Sequence, residues 1–166
     1  MLTAADFAAR LIRNFNEVEL RHSALEPRYE CSHARLTEGT AARKLAAGVT
    51  VIPPGKRACP YHLHHAQEEM FVILQGEGTL RVAGEMLAVK AGDVVVIPPG
   101  REYPHQLINT SAQDLKYLAI GTTDEPEICE YPDSGKFLAE SGLASQAPFG
   151  VIGRTATKVD YWDGEE

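Results

Sequence analysis

Hydrophobic and polar positions change rhythm along the chain. Between Thr3 and about Leu20, Phe7, Leu11, Ile12 and Phe15 recur at helical spacing behind Thr3 and Asp6, which suit a helix start. The pattern predicts one amphipathic helix packed on the body. From Glu26 to Arg43 the pattern is mixed and predicts no element. From Leu45 onward short runs rich in Val, Ile, Thr and aromatics alternate with Gly and Pro breaks: LAAGVTVI before PPGK, EMFVILQ before GEG, TLRV before AGE, MLAVK before AGD, VVVI before PPG. That rhythm predicts an antiparallel barrel or sandwich, not strands alternating with crossover helices. Further strands are expected over His105–Asn109 and Leu115–Ile120. After Gly121 the pattern weakens, and Pro126, Pro132 and Pro148 argue against a long regular element. The expectation there is an extended tail wrapped over the barrel or a neighbouring subunit. The organisation read this way is an N-terminal helix or arm (1–44), a barrel (45–121) and a C-terminal tail (122–166).

Composition narrows the field. A chain of 166 residues with 44% hydrophobic and 23% charged residues is one globular domain. Sixteen Lys and Arg against 23 Asp and Glu give a net charge of −7, which disfavours nucleic acid or an anionic membrane as a partner. No apolar stretch approaches the ~18 residues of a membrane span, and the opening residues show no secretory signal. Cys31, Cys59 and Cys129 are odd in number and lack CxxC spacing, so neither a disulfide framework nor a zinc knuckle is expected, and a reducing cytoplasm is.

Four of the six histidines fall between positions 62 and 105. His62 and His64 share one strand face. A turn near His65–Gln67 lets Glu69 open a partner strand facing them, with Phe71 and Ile73 in phase and Glu68 pointing away. Two neutral imidazoles and a carboxylate suit a divalent first-row metal, whereas histidines merely facing solvent would be the bland alternative.

The segment Gly55-KRACPY-His62-Leu-His64-HAQE-Glu69-MFVILQ-Gly76 resembles the first signature motif of the cupin superfamily, and Gly92-DVVVI-PPG-REYP-His105-QLI-Asn109 resembles the second. Two departures are loop insertions: six residues between Gly55 and His62, four between Gly100 and His105. The resemblance implies an all-β fold, a double-stranded β-helix (cupin or jelly-roll barrel), with the N-terminal helix or arm and C-terminal tail outside it. It implies one divalent transition metal (Fe, Mn, Ni, Co, Cu or Zn) held by His62, His64, Glu69 and His105, with His65 outside that set. Phe71, Ile73 and Tyr103 are then expected around the substrate. Tyr61 is expected to pack elsewhere, and Cys59 to be a small buried hydrophobe. Arg57 and Arg101 read as solvated charge, or less readily as anchors for an acidic substrate. Gly76, Gly92 and Gly100 are expected where strands reverse, and GEG at 76–78 is not a nucleotide loop because no helix follows it.

A homodimer is expected by resemblance, acting on a small molecule. The function implied is a metal-dependent enzyme for a small organic, carboxylate- or enol-bearing compound, such as a dioxygenase, isomerase, decarboxylase or lyase. The alternatives are a non-catalytic metal or small-ligand binding module, and an assembly element whose metal only stabilises it. Neither GxSxG nor a P-loop occurs, and no helix-turn-helix precedes the barrel.

Overall fold

The computed structural model describes residues 1–142, 148–154, 156 and 158–165, so parts of the expected tail lie outside the described residues. Among the described residues, helix α1 covers Ala4–Leu11 and thirteen strands follow. A six-stranded sheet runs in the order β1 (Arg21–Leu25), β2 (Tyr29–Arg35), β3 (Leu45–Ile52), β10 (Leu115–Thr122), β5 (Glu69–Gln75), β8 (Val94–Ile97). A four-stranded sheet runs β13 (Phe149–Arg154), β12 (Lys136–Ser141), β11 (Glu127–Tyr131), β4 (Leu63–His64). The third holds β7 (Glu85–Lys90), β6 (Glu77–Val82) and β9 (His105–Ile108). Every paired strand is antiparallel, which is the expected jelly-roll barrel. No described helix is long and apolar enough to cross a membrane.

The core forms where inward positions of these strands meet. Ile52, Phe71, Ile73, Leu80, Leu107, Leu115 and Tyr117 belong to one buried cluster. Each strand contributes alternate residues, because successive side chains leave a strand on opposite faces. Gly76 permits the β5–β6 reversal: its φ is +80°, and a Cβ there would collide with the Asp114 carbonyl oxygen. Asn109, fully buried after β9, ties the end of β3 to the loop that leads into β10. Its amide donates to the Ile52 and Gln113 carbonyls, and its oxygen accepts from the backbone and hydroxyl of Ser111.

Three expectations need revision. The helix stops at Leu11, well short of Leu20, although Thr3 and Asp6 do form a reciprocal capping box. Ile12 is extended, and Arg13 covers the Ala9 and Ile12 carbonyls that the missing turns leave open. No residue of α1 is buried. The unassigned stretch 26–43 contains β2, which pairs with β3 and extends the barrel wall. The C-terminal segment is not merely an extended tail: β11, β12 and β13 form a meander, and β11 pairs with β4. Pro126 precedes β11, Pro132 follows it and Pro148 precedes β13, so these prolines bound short strands instead of preventing them.

Candidate metal centre

The barrel closes on a cluster of imidazoles. His62 lies just before β4 and bridges to His105 at the start of β9, with backbone hydrogen bonds of 3.1 and 2.7 Å in both directions. His64 is on β4, and Glu69 opens β5 on the inward face while Glu68 is exposed. The Nε2 atoms of His105, His64 and His62 lie 2.8, 3.4 and 3.8 Å from the same Glu69 oxygen. Ligand atoms of His62, Glu69 and His105 all fall within 4.8 Å of one another, close enough to share an ion.

The other nitrogen of each ring is already engaged. His62 Nδ1 donates to the Pro60 carbonyl at 2.9 Å, His105 Nδ1 to the Tyr103 carbonyl at 3.0 Å, and His64 Nδ1 to the Glu127 carboxylate at 3.2 Å. An oxygen acceptor on Nδ1 fixes the proton there, so all three Nε2 lone pairs are presented to the centre. This is the tautomer that metal-ligating histidines adopt. Of the three rings, His105 approaches the carboxylate most closely, at 2.8 Å.

Electrostatics follow from burial and neighbours. Burial, then the charge of His105, lowers the His62 pKa to about 4, so this ring is neutral near pH 7. Burial also opposes charge on His64, but its bonds to Glu69 and Glu127 prevail and raise its pKa. For Glu69, burial pushes upward, yet the bonds from His105 and His64 hold the carboxyl well below its ordinary range.

Glu127 is the residue the sequence reading missed. It is 4% exposed and accepts from His64 Nδ1 and from the backbone N–H groups of His65, Ala66 and Gln67 at 3.0 Å each. One carboxylate therefore orients a ring and pins the loop between β4 and β5. No short motif marks it. The available signal was the alternation in EICEY, which turns Glu127, Cys129 and Tyr131 to one face.

A cavity of about 500 Å³ opens over the cluster, lined by His62, His64, Glu69, Phe71, His105, Tyr117, Glu127, Tyr131 and Glu140 among others. Phe71 is there as expected. Ile73 is not, because it is sealed in the core cluster at 1% exposure. Tyr103 does not line it either: its side chain is exposed, and its carbonyl alone serves the site by holding His105. His65 turns outward to Glu130 at 2.7 Å, where Arg101 also binds, so Arg101 is a surface ion pair. Tyr61 packs away from the centre under the Arg81 guanidinium, 3.7 Å above its ring. Arg57 bridges Tyr29 and Ile108 through its backbone. Burial pushes the Cys59 thiol up to about 12 and Cys129 to about 11, so both stay protonated and unreactive.

Barrel and inward His/Glu cluster together define the class of protein. Residues 48–121 match the cupin domain family profile. The chain belongs to the cupin superfamily. It is 30% identical over 103 residues to an uncharacterised protein of Methanocaldococcus jannaschii, covering 62% of this chain and 70% of that one. A 69-residue stretch is 36% identical to an oxalate-binding protein of Thermotoga maritima, spanning 42% of this chain and 54% of that protein. The fold aligns with a crystal structure provisionally named a sugar phosphate isomerase, from Acidithiobacillus ferrooxidans, at a TM-score of 0.76 and 25% identity, covering 96% of this chain and 95% of that one.

Proposed function

We propose that this chain is a metal-dependent enzyme that relocates a proton on a small hydroxycarbonyl compound, an isomerase-type reaction. His62, His64, Glu69 and His105 hold one divalent transition ion. The observation that carries this is the set of three Nε2 atoms turned on one carboxylate, each ring fixed from behind by an oxygen. Such an ion supplies Lewis acidity toward a carbonyl or hydroxyl oxygen.

The proton needs a carrier outside the ligand set. Three carboxylates line the cavity. Glu69 belongs to the cluster, and Glu127 is consumed by four hydrogen bonds. Glu140, partly buried on β12, makes no hydrogen bond or ion pair among the described residues. Its carboxylate takes the proton from the hydroxyl-bearing carbon beside the carbonyl and returns it to the former carbonyl carbon, while the hydroxyl proton passes to the former carbonyl oxygen, with no net change in the enzyme. The name of the Acidithiobacillus structure supports this reaction class. The oxalate-binding relative favours a second reading, capture of a small dicarboxylate without turnover. The homodimer fits Met70, Val94 and Val96, exposed apolar residues that share the outer face of the six-stranded sheet, and the proposed location is the cytoplasm.

Elemental analysis of tag-free protein followed by NMR with aldose–ketose pairs in D2O tests the proposal. One ion per chain, with solvent deuterium entering the substrate and lost in Glu140→Gln, is the expected result. Stoichiometric metal with tight oxalate binding and no exchange supports the capture reading instead.

A further inference from the structure

The cavity over the His/Glu cluster does not end there. A second lobe of about 600 Å³ shares six wall residues with it: Arg35, Gly48, Gln67, Glu69, Ala119 and Glu140. Strand register explains the continuity. Across the inner face of the six-stranded sheet, Arg35 pairs with Gly48, Gly48 with Ala119 and Ala119 with Phe71. The next inward row pairs Ala46 with Gly121 and Gly121 with Glu69. β10 and β3 therefore carry only Gly and Ala in these rows, and a trough is left between β5 and β2. Three strand spacings make it about 14 Å wide from backbone to backbone. At Gly48 a Cβ would meet the Ala34 carbonyl at 3.0 Å, so that position is held small.

The far side of the trough is rich in unused donors. Neither the Arg35 nor the Arg43 guanidinium makes a hydrogen bond or ion pair among the described residues, and both border the second lobe. Thr37 Oγ1 accepts from the Ala47 N–H at 3.2 Å and Thr122 Oγ1 from the Glu68 N–H at 3.1 Å. Each hydroxyl thus keeps its hydrogen for another acceptor, and both line the lobe. Two guanidiniums and two hydroxyls match a dianion with several acceptor oxygens better than a single carboxylate. Glu38, Glu125 and Glu140 also border the lobe, so a free inorganic anion gains little there. An anion tethered to a group already bound at the cluster enters at high effective concentration.

We propose that this trough takes the phosphoryl-bearing tail of the substrate, with Arg35 as its principal anchor and Arg43 beyond it, while the reacting carbonyl end lies at the His/Glu cluster. The inference rests on the metal reading above and adds the substrate class, a phosphorylated hydroxycarbonyl compound.

Calorimetry on metal-loaded protein tests it with three short alkanohydroxamates that chelate the ion and differ only in their far end: methyl, carboxylate or phosphonate. The phosphonate probe binds about tenfold tighter than the methyl probe, the scale of a charge-assisted contact. Arg35→Ala erases that advantage and Arg35→Lys restores part of it, with metal content and circular dichroism unchanged in both. Equal binding of phosphonate and methyl probes, or an advantage that survives Arg35→Ala, overturns the anchor. Equal binding of carboxylate and phosphonate rejects the phosphoryl assignment. A methyl probe that binds alike with and without metal, or a chain that takes up no metal, overturns the metal reading itself and the inference with it.

Discussion

The two segments flanking the barrel contrast sharply. The N-terminal helix has its own capping box and an apolar stripe, yet Phe7, Leu11 and Ile12 remain 49–68% exposed and none of its residues is buried. The C-terminal segment has a weak pattern broken by prolines, yet β11 pairs with β4, placing Cys129 opposite His64. That register delivers Glu127 behind His64, and β12 delivers Glu140 to the cavity. Local regularity did not determine which of these segments reaches the cavity; pairing with β4, the strand that carries His64, did.

Removing the two flanks has opposite consequences. Deleting residues 123–166 strips the strand partner from β4 and leaves His64 Nδ1 and three backbone N–H groups without their acceptor. That truncation is expected to lose metal binding and to unfold or aggregate. Deleting residues 1–12 leaves metal stoichiometry unchanged, with elemental analysis and circular dichroism as the readouts.

Glu127→Ala sharpens the same point at one residue. It orphans several donors at once and costs about 3 kcal/mol in chemical denaturation. Metal affinity falls roughly 10- to 100-fold, as expected when the group orienting a ligating histidine is lost.

The third effect depends on pH. Burial and the neighbouring His105 hold the His62 pKa at about 4 in the folded chain against an ordinary 6.5, so the unfolded metal-free chain binds a proton that the folded one excludes. Stability from this group is therefore complete above pH 6.5 and lost as pH falls toward 4, by about 3 kcal/mol. His64, raised in the folded state, acts with the opposite sign, adding stability as pH falls below its folded pKa. The informative quantity is hence the difference from His62→Asn: metal-free wild type loses ground to that variant across the window in urea titrations. The smallest effect belongs to the helix, where Phe7→Ser changes stability by no more than about 0.5 kcal/mol because Phe7 is half exposed.

How much of this was legible in the sequence differs by region. Strands β3 and β5 to β10 were readable because Gly and Pro bracket short β-branched runs, and an HxH can present both rings to one face. Glu69 was separable from Glu68 by phase alone. Ile73 shares that phase but lies deeper along β5, beside Tyr117 and within the buried cluster; parity gives the face and not the depth. Tyr103 contributes through a carbonyl, for which side-chain identity carries no signal. Glu127 and Glu140 went unread because their roles depend on pairing between β11, β12 and β4, contacts about sixty residues apart for Glu127; alternation in EICEY gave the face of Glu127 but not its partner. The prolines do exclude a long element in the tail, but strands of five or six residues fit between them.

X-ray absorption at the metal edge, on protein purified without a metal-affinity tag, tests the central claim most directly. One ion per chain with a nitrogen and oxygen shell, and the outer scattering of three imidazoles that drops to two in His64→Ala, is the predicted result. An ion surrounded by sulfur would assign it to the cavity thiols, and a chain that takes up no ion would leave the converging rings without their purpose; either contradicts the account.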